Sequence, residues 1–132
     1  MKIKNFFFLV LILIFGFLSG CGKNQTLASQ SVEEFFQAIV EKNQGLLVSK
    51  VCASYELDAM MDFNTFAIVK TSLENFSCQT TGENETGYDV RCEGSLNANF
   101  GDELRIFELS NRTYQVIEEN GNWLICGHTD SE

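Results

Sequence analysis

Few side chains in this 132-residue chain carry reactive chemistry, and most of those that do are sulfur. Five cysteines, Cys21, Cys52, Cys78, Cys92 and Cys126, accompany a single histidine, His128. A structural zinc site would draw on these groups, but its ligands usually come in pairs two to four residues apart, and no two of the cysteines are so spaced. Thioredoxin-type redox chemistry needs two thiols on one helical turn, which the spacing also lacks. No metal or cofactor is therefore expected. Acid–base chemistry would need a carboxylate and a proton donor facing one cavity, and Tyr55, Asp58 and Asp62 could line a pocket mouth as donor and base. The plainer alternative is an acidic helix surface, so no catalytic residue is assigned. His128 falls two residues past the last expected strand, in a polar tail. Three Asn-x-Ser/Thr triplets, at Asn75, Asn84 and Asn111, match the glycosylation acceptor pattern and are read as chance.

The elements that must position these residues begin with an export signal. Lys2 and Lys4 form a positive n-region, and Phe6 to Leu18 is apolar apart from Gly16. A membrane-spanning helix is the rival reading, but these 13 residues would rise only about 20 Å against a hydrocarbon core of about 30 Å. The tetrapeptide Leu18-Ser19-Gly20-Cys21 resembles the lipobox of bacterial lipoproteins. That resemblance implies a diacylglyceryl group on the Cys21 sulfur, cleavage between Gly20 and Cys21, and a lipid bilayer as partner through the acyl chains of Cys21. Residues 1–20 are then the signal peptide and 21–30 a polar lipidated spacer. Gly22 rather than Asp after the cysteine implies the outer membrane where the organism has one, and otherwise the outer side of the cell membrane.

Loss of Lys2 and Lys4 with the signal leaves 7 basic against 18 acidic residues, a formal charge of −11 on 112 residues. So acidic a chain gains nothing from counterion release on nucleic acid or on anionic headgroups, and nucleic acid is excluded as a partner. The length suits one domain. In an exporting compartment the four cysteines beyond Cys21 read as two disulfides, with three connectivities open.

Ser31-Val32-Glu33-Glu34 has the form of a capping box, and Val32, Phe35, Phe36, Ile39 and Val40 follow on one stripe, so a helix is predicted from Ser31 with Gly45 beyond its end. Leu47, Val48, Val51, Cys52 and Tyr55 repeat the stripe in a second helix. Residues 56–72 are ambiguous between helix, strand and packed loop. The period then changes to two. Phe76, Cys78 and Thr80 alternate, as do Tyr88, Val90, Cys92, Leu96, Ala98 and Phe100, with a turn-like Gly82 to Gly87 between them. Pairing Cys78 with Cys92 centres that hairpin on residue 85, so bridge and turn support each other. Glu103 to Glu119 reads as one long strand whose apolar phase slips between Ile106 and Phe107. Asn120-Gly121 predicts a type I′ turn leading into a last strand, Trp123 to Cys126.

The order predicts an α+β domain over 31–128, N-terminal helices packed on a curved four-stranded antiparallel sheet, with 129–132 as a polar tail. The stretches 31–40, 47–52 and 116–126 resemble the cystatin-like roll of the nuclear-transport-factor-two-like superfamily, and more closely small bacterial lipoproteins that carry it. The resemblance implies a disulfide between Cys52 and Cys126, which leaves Cys78 to Cys92. It also implies two classes of function. One is a non-enzymatic envelope module that binds a ligand, a protein partner or a second copy; the other is a small hydrolase or isomerase with an acid–base pair in the roll. If Cys126 must reach Cys52 on a helix, then Gln115, Ile117, Leu124 and Cys126 face the helices. Tyr114, Val116, Trp123 and Ile125 are left on the far face as a candidate partner surface, open or covered by residues 56–72.

Overall fold

The computed structural model describes residues 21–131; residues 1–20, where the signal peptide is expected, and the side chain of Cys21, the expected lipid site, lie outside that description. Three helices, α1 (Cys21–Val40), α2 (Gln44–Ser49) and α3 (Glu56–Phe66), pack against an antiparallel sheet of five strands. The strands are β1 (Lys70–Glu83), β2 (Gly87–Phe100), β3 (Glu103–Glu108), β4 (Arg112–Glu119) and β5 (Asn122–Asp130). Among the described residues no helix is long and apolar enough to cross a membrane.

The first helix is longer than its sequence stripe suggests. Ala28 is fully buried one turn before Val32, and the Thr80 hydroxyl donates to the Gln25 carbonyl at 2.8 Å, so residues expected to form a spacer dock on the sheet as helix. Ser31 consequently lies inside α1 and not at its start, and no capping box forms. Its hydroxyl donates to the Trp123 carbonyl at 2.6 Å, while Glu34 pairs with Lys50. The helix ends where Lys42 takes a positive φ of 58°, and Gly45 falls inside α2. Asn43 caps α2 by accepting from the Leu46 amide at 3.0 Å. The predicted second helix stops at Ser49. Residues Lys50 to Cys52 leave it and run alongside β5, where the Ile125 amide donates to the Lys50 carbonyl and the Cys52 amide to the Ile125 carbonyl, both at 2.8 Å.

The ambiguous segment contains α3, which buries Ala59 and Phe63 one turn apart and exposes Leu57 and Met61 on its other face. Lys42 ties down the C-terminal end of α3, donating to the Phe66 carbonyl at 2.6 Å and to Thr71 at 2.9 Å.

The sheet runs β1-β2-β4-β5, with β3 also on β2. The long β2 is shared end to end: residues 87–91 pair with β4, and residues 95–100 with β3. Gly94 sits at the changeover with a φ of 88°, so close to the Glu74 and Asn75 carbonyls of β1 that a Cβ would collide with them. The strand expected to run unbroken from Glu103 to Glu119 is split at Leu109–Asn111 by one turn of 3-10 helix, three residues later than the phase slip, and this makes the fifth strand. Asn120 and Gly121 both have positive φ, 53° and 81°, as a type I′ turn requires.

The register beyond that turn corrects the expected faces. Glu118 opposes Trp123, Ile117 opposes Leu124 and Val116 opposes Ile125 as expected, but Gln115 opposes Gly127 and not Cys126. Cys126 is the extra residue of a bulge. Tyr114, Val116 and Ile125 are buried under α1, with Tyr114 at 1% exposure and its ring 6.2 Å from Phe35 and 5.8 Å from Phe36. The residues proposed as a partner surface, Tyr114, Val116, Trp123 and Ile125, are thus core or core margin, covered by α1 and not by residues 56–72. The expectation failed on one premise, that Cys52 lies on a helix above the sheet. Cys52 is an in-plane neighbour at the β5 edge, so its bridge to Cys126 imposes no helix-facing direction, and the Cα atoms are 4.9 Å apart. The second bridge joins Cys78 to Cys92, directly opposite each other in β1 and β2.

Candidate functional site

Four of the residues that could do chemistry converge where α3, the start of β4 and the end of β5 meet. Arg112 opens β4, and the β4–β5 register sets it opposite Asp130. Asp62 reaches the same point from the second turn of α3. The Arg112 guanidinium donates from Nη1 to Asp62 at 2.8 Å and from Nε to Asp130 at 3.2 Å. Burial alone would lower the Arg112 pKa, but the Asp62 charge and the neighbouring Tyr114 outweigh it and hold the group firmly cationic. Tyr114, two residues along β4 and facing inward, has its pKa pushed up to about 12, chiefly by burial.

Behind Tyr114 the network continues. His128 opposes Tyr114 across β4 and β5 with ring centroids 6.1 Å apart, and its Nδ1 is 2.6 Å from the Tyr55 hydroxyl. Tyr55 is raised well above its ordinary pKa, by burial first and then by Tyr114 and Asp62. His128 therefore belongs to β5 and is not in a tail, because the strand continues to Asp130. Of the three residues proposed for a pocket mouth, Asp62 reaches one, Tyr55 is buried behind it, and Asp58 is exposed elsewhere on α3.

Arg112, Asp62, Tyr114 and Asp130 form one end of a cavity of about 680 Å³. Its apolar walls come from Phe36 and Ile39 of α1, Phe66 of α3, Leu96 of β2, Ile106 and Phe107 of β3 and Leu109 of the 3-10 turn, and Thr65, Glu108, Asn111 and Ser131 complete the rim. The Phe66 and Phe107 rings meet edge to face at 5.2 Å. Chemically the cavity offers aromatic faces, three carboxylates and one guanidinium. Both phenols are held neutral and Asp62 is engaged by Arg112, while His128 lies outside the lining. Among the described residues no cluster of three or more His, Cys, Asp or Glu could hold a metal, and the four cysteines beyond Cys21 are all in disulfides. Two disulfides in so small a domain indicate an oxidising, extracytoplasmic environment.

Arg112 and Asp130 were missed from sequence. The available signal was the Asn120-Gly121 turn, whose two-residue loop carries the ladder outward to the Arg112–Asp130 pair once the bulge is counted. No family model, curated protein or solved structure matches this chain.

Proposed function

We propose that this chain is an exported lipoprotein, anchored through Cys21, whose domain binds a small molecule with an apolar body and a cationic head. The cavity carries the proposal. Its polar end sets Asp62, Glu108 and Asp130 against Arg112 alone, a surplus of two negative charges that disfavours anions. Phe36, Phe66, Phe107 and Tyr114 supply ring faces of the kind that receive organic ammonium groups. Binding is favoured over catalysis because Asp62 and Asp130 are both paired with Arg112 and Tyr114 is held neutral, which leaves Glu108 without a facing proton donor to form an acid–base pair at the cavity. Helices on one face of an antiparallel sheet, enclosing such a cavity, also support the reading as a cystatin-like roll.

Anchoring gives the site a defined place. Helix α1 begins at Cys21, the residue that would bear the lipid, with no flexible spacer between. Phe36 and Ile39 then lie about 25 Å along the helix axis from the bilayer attachment.

The test is calorimetry on the mature lipidated protein in nanodiscs, with benzyltrimethylammonium and benzenesulfonate as probes matched in ring and opposite in charge. The ammonium is expected to bind, and Asp62→Asn to weaken it. Equal or tighter binding of the sulfonate, or no binding of either, refutes the proposal.

A further inference from the structure

A sheet that does not close leaves edges whose unpaired amides and carbonyls invite another strand, and proteins generally blunt them. Two edges here are managed. Along β1, register breaks at Glu74/Ser77 and Thr80/Gly82 interrupt the ladder, and Glu33 of α1 accepts the Cys78 amide at 3.1 Å. Along β5, the Lys50 to Cys52 segment occupies the backbone of Ile125. The outer edge of β3 has neither a register break nor a backbone-pairing segment among the described residues. All six residues of β3 are exposed, and it holds no proline, lysine or bulge. It displays Leu104 at 56%, Ile106 at 59% and Phe107 at 37% exposure.

We propose that the outer edge of β3 takes an extended, basic segment of a partner protein as a sixth strand, in line with β5. The charge pattern selects the occupant. Glu103 and Glu108 stand at the two ends of β3 against one cation, Arg105, which pairs with Glu103 at 3.1 Å and lies over the Phe100 ring, so the strand keeps one net negative charge, at Glu108. A second copy of this chain suits the edge poorly. Paired antiparallel over all six residues it would set Glu103 opposite Glu108 at both ends, and like charges directly opposite are destabilising. A foreign strand with a basic residue opposite Glu108 and apolar residues opposite Leu104, Ile106 and Phe107 complements the edge. Main-chain hydrogen bonds would supply affinity, and the flanking charges orientation. Because Ile106, Phe107 and Glu108 also line the cavity, such a strand would lie along its rim.

The probe is a fluorescein-labelled hexapeptide, Lys-Val-Val-Ser-Val-Lys, titrated against the mature protein in nanodiscs by anisotropy. Two further versions carry backbone N-methyl groups on alternate residues, in opposite phases. Edge pairing requires that one phase lose binding by about tenfold or more while the other retains it, since only every second amide of an added strand points at the sheet. Leu104→Lys, at an exposed position of β3 outside the cavity lining, is expected to weaken the parent peptide about tenfold through charge and lost apolar contact with the thermal melt unchanged. The proposal is overturned if the parent peptide does not bind, if both N-methyl phases behave alike, or if Leu104→Lys leaves binding intact. Self-association abolished by Leu104→Lys would also overturn it, because the occupant would then be a second copy. Failure of the ammonium probe above leaves each of these readouts unaffected, so the two proposals are separable.

Discussion

Removing the two disulfides separately should cost unequal amounts, and in a set order. A bridge stabilises mainly by denying the unfolded chain the conformations in which its ends are apart, a penalty that grows with the logarithm of the loop it closes. Cys52 and Cys126 are 74 residues apart, whereas Cys78 and Cys92 are 14 apart. The loop-closure relation then assigns about 4.4 kcal/mol to the first and about 3 kcal/mol to the second. Two structural features widen the gap. Cys78 and Cys92 are already opposed within a hairpin whose turn is local, so the unfolded chain keeps them near each other and the bridge denies it less. Cys52 and Cys126, by contrast, join the loop after α2 to the last strand and have no local turn to hold them together. Replacement by alanine leaves a void in either case, roughly 1 kcal/mol per bridge, which shifts both values alike. The assay is urea unfolding of Cys52→Ala/Cys126→Ala and Cys78→Ala/Cys92→Ala under oxidising conditions, followed by the emission of Trp123. A domain of this size holds about 5–15 kcal/mol, so the first variant should stand close to its unfolding threshold. If loss of the 14-residue bridge costs as much as loss of the 74-residue one, the chain-entropy account of this fold is wrong.

Ser31→Ala should destabilise by about 1–2 kcal/mol, because it orphans the Trp123 carbonyl under α1; a chemical-denaturation shift below 0.5 kcal/mol would show that water replaces the hydroxyl. Tyr114 has a folded pKa raised from 10.0 to about 12, so its contribution is complete below pH 10 and is lost as the pH climbs towards 12. Stability should fall over that window by on the order of 2 kcal/mol, and Tyr114→Phe should flatten the fall; an unchanged slope would place the alkaline transition elsewhere, with Tyr55 the next residue to test. Cys21→Ser should abolish incorporation of labelled fatty acid and leave an uncleaved precursor, because a hydroxyl cannot form the thioether. Continued cleavage after Gly20 would remove the lipobox reading.

What was legible in the sequence was what depends on near neighbours. The alternation around Cys78 and Cys92, the apolar stripe from Val32 to Ile39 and the Asn120-Gly121 turn all involve residues within a few positions of each other, and each specifies its element by sterics alone. Ser31 shows the limit of that logic. Its capping box with Glu34 is locally complete, yet the helix runs straight through it. Burying Ala28 against the sheet and satisfying Ser31 on Trp123, 92 residues away, compete with a cap that would have ended the helix there. A local signal of about 1 kcal/mol yields to tertiary burial of that size.

The faces of β4 and β5 fail on the premise that Cys52 lies on a helix above the sheet, whereas strand register hid the site. Side chains alternate with a period of two, so a single inserted residue exchanges the two faces of everything beyond it. The bulge at Cys126 inserts that residue. Counted without it, Cys126 meets Gln115, His128 meets Thr113 and Asp130 falls opposite Asn111, beyond β4; counted with it, His128 opposes Tyr114, and Asp130 opposes Arg112. The bulge has its own cause in the Lys50 to Cys52 segment, which takes the Ile125 backbone and draws Cys126 sideways to its partner. The polar end of the cavity is thus assembled by a bend in the outermost strand, held by a bridge to a segment 74 residues away, and no local pattern around Arg112, His128 or Asp130 could have shown it. If that account holds, breaking the Cys52–Cys126 bridge loosens ligand binding at Arg112 and Asp62 more than breaking Cys78–Cys92 does, even where both variants remain folded.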